Sequence, residues 1–233
     1  MKLTTNAFQF IAFDADDTLW ENETFFREVE HQFYKLIDEF CTKEQLEKEL
    51  YQTEIANLPI YGFGIKGFML SMIETALRVS SNQVSPDVLE QIIKLGQRQL
   101  QEPIVLLPAV QRILEQLYPH YRLVLATKGD LVDQKRKVEL SGLKKFFCHV
   151  EIMTDKTPDD YAALLKHLDC HPSQFLMVGN SIKSDVLPVL ELGAYAAHIP
   201  FHTTWSHEVV HEPIVHPHLL KASKMEDLLA HLL

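Results

Sequence analysis

The run Phe10-Ile11-Ala12-Phe13 ends at once in Asp14, Asp16 and Asp17, and no other stretch limits the possible folds as strongly. A short, wholly apolar run bounded by polar residues reads as a strand buried on both faces, which belongs in the middle of a parallel sheet. In open parallel sheets ligands bind at the carboxyl ends of the strands, and Asp14 stands at such an end. Asp14 and Asp16 are two residues apart, so on extended backbone they project to one side. That places two carboxylates close enough to hold a cation or to divide nucleophile and proton-transfer roles.

Downstream, the apolar positions fall first at helical spacing only. Phe26, Val29, Phe33, Leu36, Ile37 and Phe40 predict a helix over 23–40. Thr42-Lys43-Glu44-Gln45 has the form of a capping box and opens a second helix, expected to run to about residue 56 before Leu58-Pro59 interrupts it. A third helix follows from Lys66, and Ser85-Pro86 caps a fourth. Beyond Pro103 helices alternate with short apolar strands at Tyr121–Ala126, Phe147–Ile152, Phe175–Val178 and Ala194–Ile199, the last strand expected. A helix from about Ser184 ends at Leu192-Gly193, and Ser223-Lys224-Met225-Glu226 reads as a capping box that opens a C-terminal helix. The polar, His-rich stretch 201–218 between them has no period and reads as a long loop.

This order predicts an α/β fold: a Rossmann-like parallel sheet covered by helices on both faces, with an all-α cap domain inserted after the first strand. The expected division is residues 1–20 and 103–233 for the core and 21–102 for the helical cap, a lid over the carboxyl edge of the sheet. Within the cap, Tyr61-Gly62-Phe63-Gly64-Ile65-Lys66 mixes glycines, aromatics and a cation. It fits either a lid loop that touches substrate or a packed turn between helices.

Composition removes some function classes. With 22 basic and 32 acidic residues the 233-residue chain carries a formal charge of −10, which argues against nucleic-acid and anionic-membrane partners. An anionic substrate therefore needs a local positive centre. Cys41, Cys148 and Cys170 have no paired spacing, the N-terminus lacks a signal-peptide pattern, and no apolar run is long enough to span a membrane, so a cytoplasmic protein is expected. The histidines at 198, 202, 207, 211, 216 and 218 lack metal-ligand spacing and read as surface residues.

Parallel strands bring their carboxyl ends to one edge, so Asp14, Thr127-Lys128-Gly129, Lys156, and Gly179-Asn180 with Asp185 converge. Carboxylates with a neutral oxygen donor favour a hard cation such as Mg²⁺, and the mixture suits phosphoryl chemistry. These segments resemble the four motifs of the haloacid dehalogenase superfamily: Asp14-Ala15-Asp16-Asp17-Thr18, then Thr127, then Lys156, then Gly179-Asn180 with Asp185. The position of the inserted helices resembles the helical-cap, phosphoglycolate phosphatase-like subclass.

The resemblance implies that Asp14 is the nucleophile and becomes an aspartyl-phosphate, while Asp16 protonates the leaving alkoxide and then deprotonates water. It further implies that Thr127 and Lys156 serve catalysis and, with Lys128 and Gly129, bind substrate; Tyr61 and Lys66 are expected to join them where the loop that holds them is read as touching substrate. Mg²⁺ is implied on Asp14, Asp16 through its backbone carbonyl, Asn180 and Asp185. The expected partner is a small phosphorylated metabolite, and the expected assembly a monomer or homodimer.

Two residues depart from the family pattern: Asp17 stands where glycine is common, and Asn180 replaces an acid. Dehalogenases that resemble this fold lack the second Asp of the first motif, so Asp16 favours a phosphatase or a phosphomutase. A non-catalytic protein that binds phosphorylated metabolites is the alternative from another class.

Overall fold

The structure is a computed structural model and describes residues 8–233. Its sheet contains β1 (Phe10–Phe13), β2 (Arg122–Lys128), β3 (Phe147–Met153), β4 (Phe175–Gly179), β5 (Tyr195–His198) and β6 (Leu219–Lys221). All neighbours pair in parallel, in the order β3-β2-β1-β4-β5-β6. Central β1 is wholly buried because alternate residues serve opposite faces. Ile11 and Phe13 join Leu123, Leu125, Leu176 and Val178 on one face. Phe10 and Ala12 join Val124, Ala126, Phe175 and Met177 on the other.

Helices cover both faces. Val110, Ile113, Leu114 and Leu117 of α5 (Val110–Leu117) pack on the first. Tyr161, Leu164 and Leu165 of α7 (Pro158–His167) pack on the second, together with Val189 and Leu190. Each large apolar side chain buried in this way contributes roughly 1.5–3 kcal/mol.

The chain divides into two compact units, one holding the sheet (residues to Glu23, Ile104–Lys128 and Gln134–Leu233) and one of Thr24–Pro103 with Gly129–Asp133. The second is built on α1 (Glu23–Leu36), α2 (Lys43–Tyr61), α3 (Ile65–Val79) and α4 (Pro86–Gln99). Its core holds Phe33, Ile37, Leu46, Leu50, Met72 and Ile92. Residues 129–133, expected in the core, go with the helices instead: Lys66 Nζ donates to both carboxylate oxygens of Asp130 at 3.0 Å.

Four local expectations are corrected. Helix α2 does not stop before Pro59 but runs to Tyr61, where Gly62 ends it at φ 72°. A proline so close to the C-terminus removes a single ladder bond, which the rest of a 19-residue helix tolerates. Ala194–Ile199 does not hold the last strand, since β6 pairs with β5 beyond the His-rich loop. Three residues are too few for a period to show.

The helix expected from Ser184 begins instead as a π-turn, Ile182–Val186, and continues as α8 (Leu187–Glu191). Pro188 has no N–H to give the Ser184 carbonyl, and the buried Tyr161 hydroxyl donates to it at 3.1 Å. Near the C-terminus the capping acid is Asp227 rather than Glu226: its carboxylate accepts from Ser223 N at 2.8 Å and Lys224 N at 3.2 Å. The helical segment there opens as a 3₁₀ turn, Met225–Leu228, followed by α9 (Leu229–Leu232).

Candidate active site

Every strand that was expected to end in a polar group does so within the sheet-bearing unit. Asp14 leaves β1 with its N–H on the Val178 carbonyl at 2.9 Å, which holds its backbone in the sheet while its side chain enters the site. Asp14, Lys156 and Asp185 are buried together, 6%, 4% and 1% exposed. Lys156 Nζ donates to Asp14 Oδ1 at 2.5 Å and to Asp185 Oδ1 at 2.6 Å, so residues 142 and 29 positions away from it meet on one ammonium. Thr18 Oγ1 lies 2.9 Å from Asp14 Oδ2 and 3.2 Å from Asn180 Oδ1, which draws the fourth segment to the first.

Two carboxylates on one ammonium leave a buried negative charge over. Burial, reinforced by the Asp185 charge, pushes the Asp14 carboxyl above its ordinary value although Lys156 opposes the shift. On the other partner, Asp14 and Asp185 outweigh burial and push the Lys156 ammonium well up, so it stays charged. Gly179 is required by this packing: a Cβ there would stand 2.2 Å from Asp185 Oδ2. The same oxygen accepts the Ser181 N–H at 2.9 Å.

Asp16 has donors of its own. Trp20 Nε1 lies 2.6 Å from Oδ1, Gln134 Nε2 lies 2.8 Å from Oδ2, and Lys137 Nζ lies 3.1 Å from both oxygens. Lys137 Nζ also donates to Asn22 Oδ1 at 2.7 Å. Asp17 takes a positive φ of 62°, the conformation glycine supplies elsewhere. Its carboxylate accepts from Asn22 N at 2.9 Å and Glu23 N at 3.0 Å, so aspartate both turns the chain and caps the start of α1.

Thr127 is buried at the end of β2. Lys128 follows it, but its ammonium is engaged by Glu208 Oε1 at 2.6 Å and Ser184 Oγ at 2.8 Å rather than left for a phosphate. Tyr61, Lys66 and Gly129 belong to the helical unit. There the Tyr61 hydroxyl donates to Glu74 at 3.3 Å, and Lys66 is on Asp130. Of the histidines, His198 is half-buried, its Nε2 2.9 Å from the Asn180 carbonyl, and His218 stacks on Tyr195 with ring centres 4.1 Å apart. These two are packed rather than free on the surface.

Gln134, Lys137 and Glu208 carry no motif. The first two follow the carboxyl end of β2 on α6 (Leu131–Leu140) at i, i+3 spacing, which puts them on one helix face and was a legible signal. Glu208 had none. Among the described residues no three His, Cys, Asp or Glu side chains form a metal cluster. Mg²⁺ does not need one, because it binds through one or two carboxylates and keeps waters.

A family model described as haloacid dehalogenase-like hydrolase matches residues 8–193. Among solved structures, a haloacid dehalogenase-like family hydrolase from Xanthomonas campestris is 33% identical, covers 96% of this chain and 90% of its own, and superposes with a TM-score of 0.86. A predicted phosphoglycolate phosphatase from Haemophilus somnus is 14% identical, covering 96% and 97% of the two chains, with a TM-score of 0.61. A 2-haloacid dehalogenase from Pseudomonas syringae pv. Tomato is 16% identical over 97% and 98%, with a TM-score of 0.63. Comparison with curated proteins finds no significant match.

Proposed function

The chain belongs to the haloacid dehalogenase-like hydrolase family, and from that premise we propose that it is a Mg²⁺-dependent phosphatase of small phosphomonoesters acting through an aspartyl-phosphate on Asp14. The observation that carries this reading is the presence of two separately held carboxylates: Asp14 on Lys156, and Asp16 on Trp20, Gln134 and Lys137. A halide leaves carbon as a stable anion, whereas an alkoxide leaving phosphorus needs a proton. A second carboxylate beside the nucleophile answers that need of the phosphate ester, a need that the departure of a halide does not have.

The residues present fit Mg²⁺. Asp14 and Asp185 leave one buried negative charge unbalanced by Lys156, and the Asn180 side-chain oxygen and Asp16 backbone carbonyl are hard, neutral donors. When bound, the cation neutralises charge on the phosphoryl oxygens.

The chain's own residues supply the rest. Asp14 attacks phosphorus as the ester P–O bond breaks, and Asp16 gives a proton to the departing alkoxide. Water then attacks the phosphorus of the acyl phosphate, its proton passes to Asp16, and inorganic phosphate leaves with Asp14 regenerated. Lys156 offsets charge on the nucleophile, and Thr127, near the end of β2, supplies a hydroxyl for a phosphoryl oxygen. Gln134 Oε1, buried and without a hydrogen-bond partner among the described residues, is suited to hold the attacking water beside Asp16.

The test is phosphate release from p-nitrophenyl phosphate with and without Mg²⁺, wild type beside Asp14→Asn. Release that needs Mg²⁺ and vanishes in Asp14→Asn is expected. Isomerisation of a sugar phosphate without free phosphate would assign a phosphomutase instead, and metabolite binding without turnover a binding protein.

A further inference from the structure

We propose that Glu208 is a positioning residue for the loop Asn180–Asp185, holding it in the shape that presents Asp185 to Lys156 and to a divalent cation; the role rests on the phosphatase reading above. Glu208 lies in the 3₁₀ turn Ser206–Glu208, within the polar stretch after β5 that has no period and no motif. Its side chain is only 11% exposed, an unusual position for a glutamate.

Each of its bonds has a definite direction. Glu208 Oε2 accepts from Ser181 Oγ at 2.5 Å and from Ser184 Oγ at 2.6 Å, while Oε1 accepts from Lys128 Nζ at 2.6 Å. A serine hydroxyl has one proton to donate and two lone pairs to accept with. Ser184 gives its proton to Glu208 and accepts from Lys128 Nζ at 2.8 Å; Ser181 gives its proton to Glu208 and accepts from the Ser184 N–H at 3.0 Å. The donors and acceptors therefore close without conflict.

The next bond out is the functional one. The Ser181 N–H donates to Asp185 Oδ2 at 2.9 Å, and Asp185 Oδ1 receives Lys156. Glu208 fixes Ser181, which precedes the π-turn, and Ser184 within it, so it sets where Asp185 points without touching it. It also ties the end of β2, through Lys128, to the same loop. The carboxylate is ionised in this setting: burial alone would raise its pKa, but Lys128 and the bonds from Lys128, Ser181 and Ser184 hold it down at about 2. The charge of Lys128 is thereby spent on the brace, which leaves Lys156 as the cation beside Asp14.

Removal of a residue that orients a metal-holding group typically weakens metal affinity or activity by about 10–100-fold. In full-length Glu208→Ala, hydrogen–deuterium exchange should speed up about tenfold or more at amides 180–187 and change less than about twofold in β1. Half-saturating Mg²⁺ for p-nitrophenyl phosphate turnover should rise about tenfold while KM for the ester moves less than about twofold. Glu208→Gln, which keeps an oxygen for the serine hydroxyls, should recover much of both.

Exchange and Mg²⁺ demand both within twofold of wild type overturn the proposal. So does faster exchange with unchanged Mg²⁺ demand, the behaviour of a purely structural brace. If Glu208→Ala does not fold, Ser181→Ala removes one strut and carries the same two expectations at smaller amplitude. If the wild type releases no phosphate at all, the phosphatase reading fails, while exchange at 180–187 still decides whether Glu208 braces the loop.

Discussion

The Lys137 ammonium stands 3.1 Å from each carboxylate oxygen of Asp16, so the site holds its two key carboxylates on two different cations. Lys137 is 8% exposed and Asp16 21%, which makes the pair stronger than a surface ion pair and makes its loss harder to compensate with water. If Asp16 is the proton donor, its misplacement matters most for leaving groups that need the proton. Lys137→Met is expected to slow hydrolysis of an alkyl phosphate by about 10–100-fold while p-nitrophenyl phosphate, whose leaving group is a stable anion, changes by about threefold or less. Equal losses on both esters would remove Lys137 from any role in placing Asp16.

Asp14→Asn and Lys156→Met should have opposite effects on stability although both abolish turnover. Two carboxylates share one buried ammonium, so Asp14→Asn leaves a balanced Lys156–Asp185 pair. Its melting temperature without Mg²⁺ should equal or exceed that of wild type. Lys156→Met strands both carboxylates in a site 1–9% exposed and is expected to lose about 3–5 kcal/mol in urea unfolding. A marked loss of stability in Asp14→Asn would contradict the charge count.

Gly179→Ala places a methyl group 2.2 Å from Asp185 Oδ2 and under 3 Å from its Cγ and Cβ. Since the neighbour is a buried carboxylate held on Lys156 and Ser181 N, it has no free direction in which to give way. The expected result is a folded protein less stable by about 1–3 kcal/mol with little phosphatase activity, read by melting and by turnover on the same preparation.

The brace around Glu208 makes stability depend on acid pH. Its carboxyl is held at about 2 against an ordinary 4.5. The stabilisation is therefore full above pH 4.5 and is lost as pH falls from there toward 2, because the unfolded chain takes up the proton first. The stability advantage of wild type over Glu208→Gln, measured by urea unfolding from pH 7 downward, should shrink across that window and vanish near its lower end. A difference that stays constant to pH 3 would show that the glutamate charge contributes nothing.

Much of the site was legible because its residues end strands. Asp14, Thr127, Lys156 and Asp185 each follow an apolar run, and a parallel sheet brings such ends together wherever they fall in the chain. An aspartate in a glycine's place reads as a turn less free to take positive φ, yet Asp17 takes it at 62°. Glu208, in a stretch without any pattern, was not legible, and Lys137 only through its i, i+3 spacing from Gln134, because its charged run Asp133-Gln134-Lys135-Arg136-Lys137 otherwise has the texture of a solvated helix face. Lys128 shows the same gap from the other side. Its place beside Thr127 pointed to a phosphate, and its partner is a glutamate 80 residues on.

Local sequence determined where five of the six strands and most of the helices form and which strand ends they bring to one edge, because periodicity, capping and burial depend on near neighbours. It also determined the family, since the motif residues stand at those ends in order. Only the tertiary structure decided which charge pairs with which: Lys156 with Asp14 and Asp185, Lys137 with Asp16, Lys128 with Glu208. Side-chain partners are selected by where distant segments pack, and in a buried site a difference of one hydrogen-bond length separates a balanced charge from a stranded one.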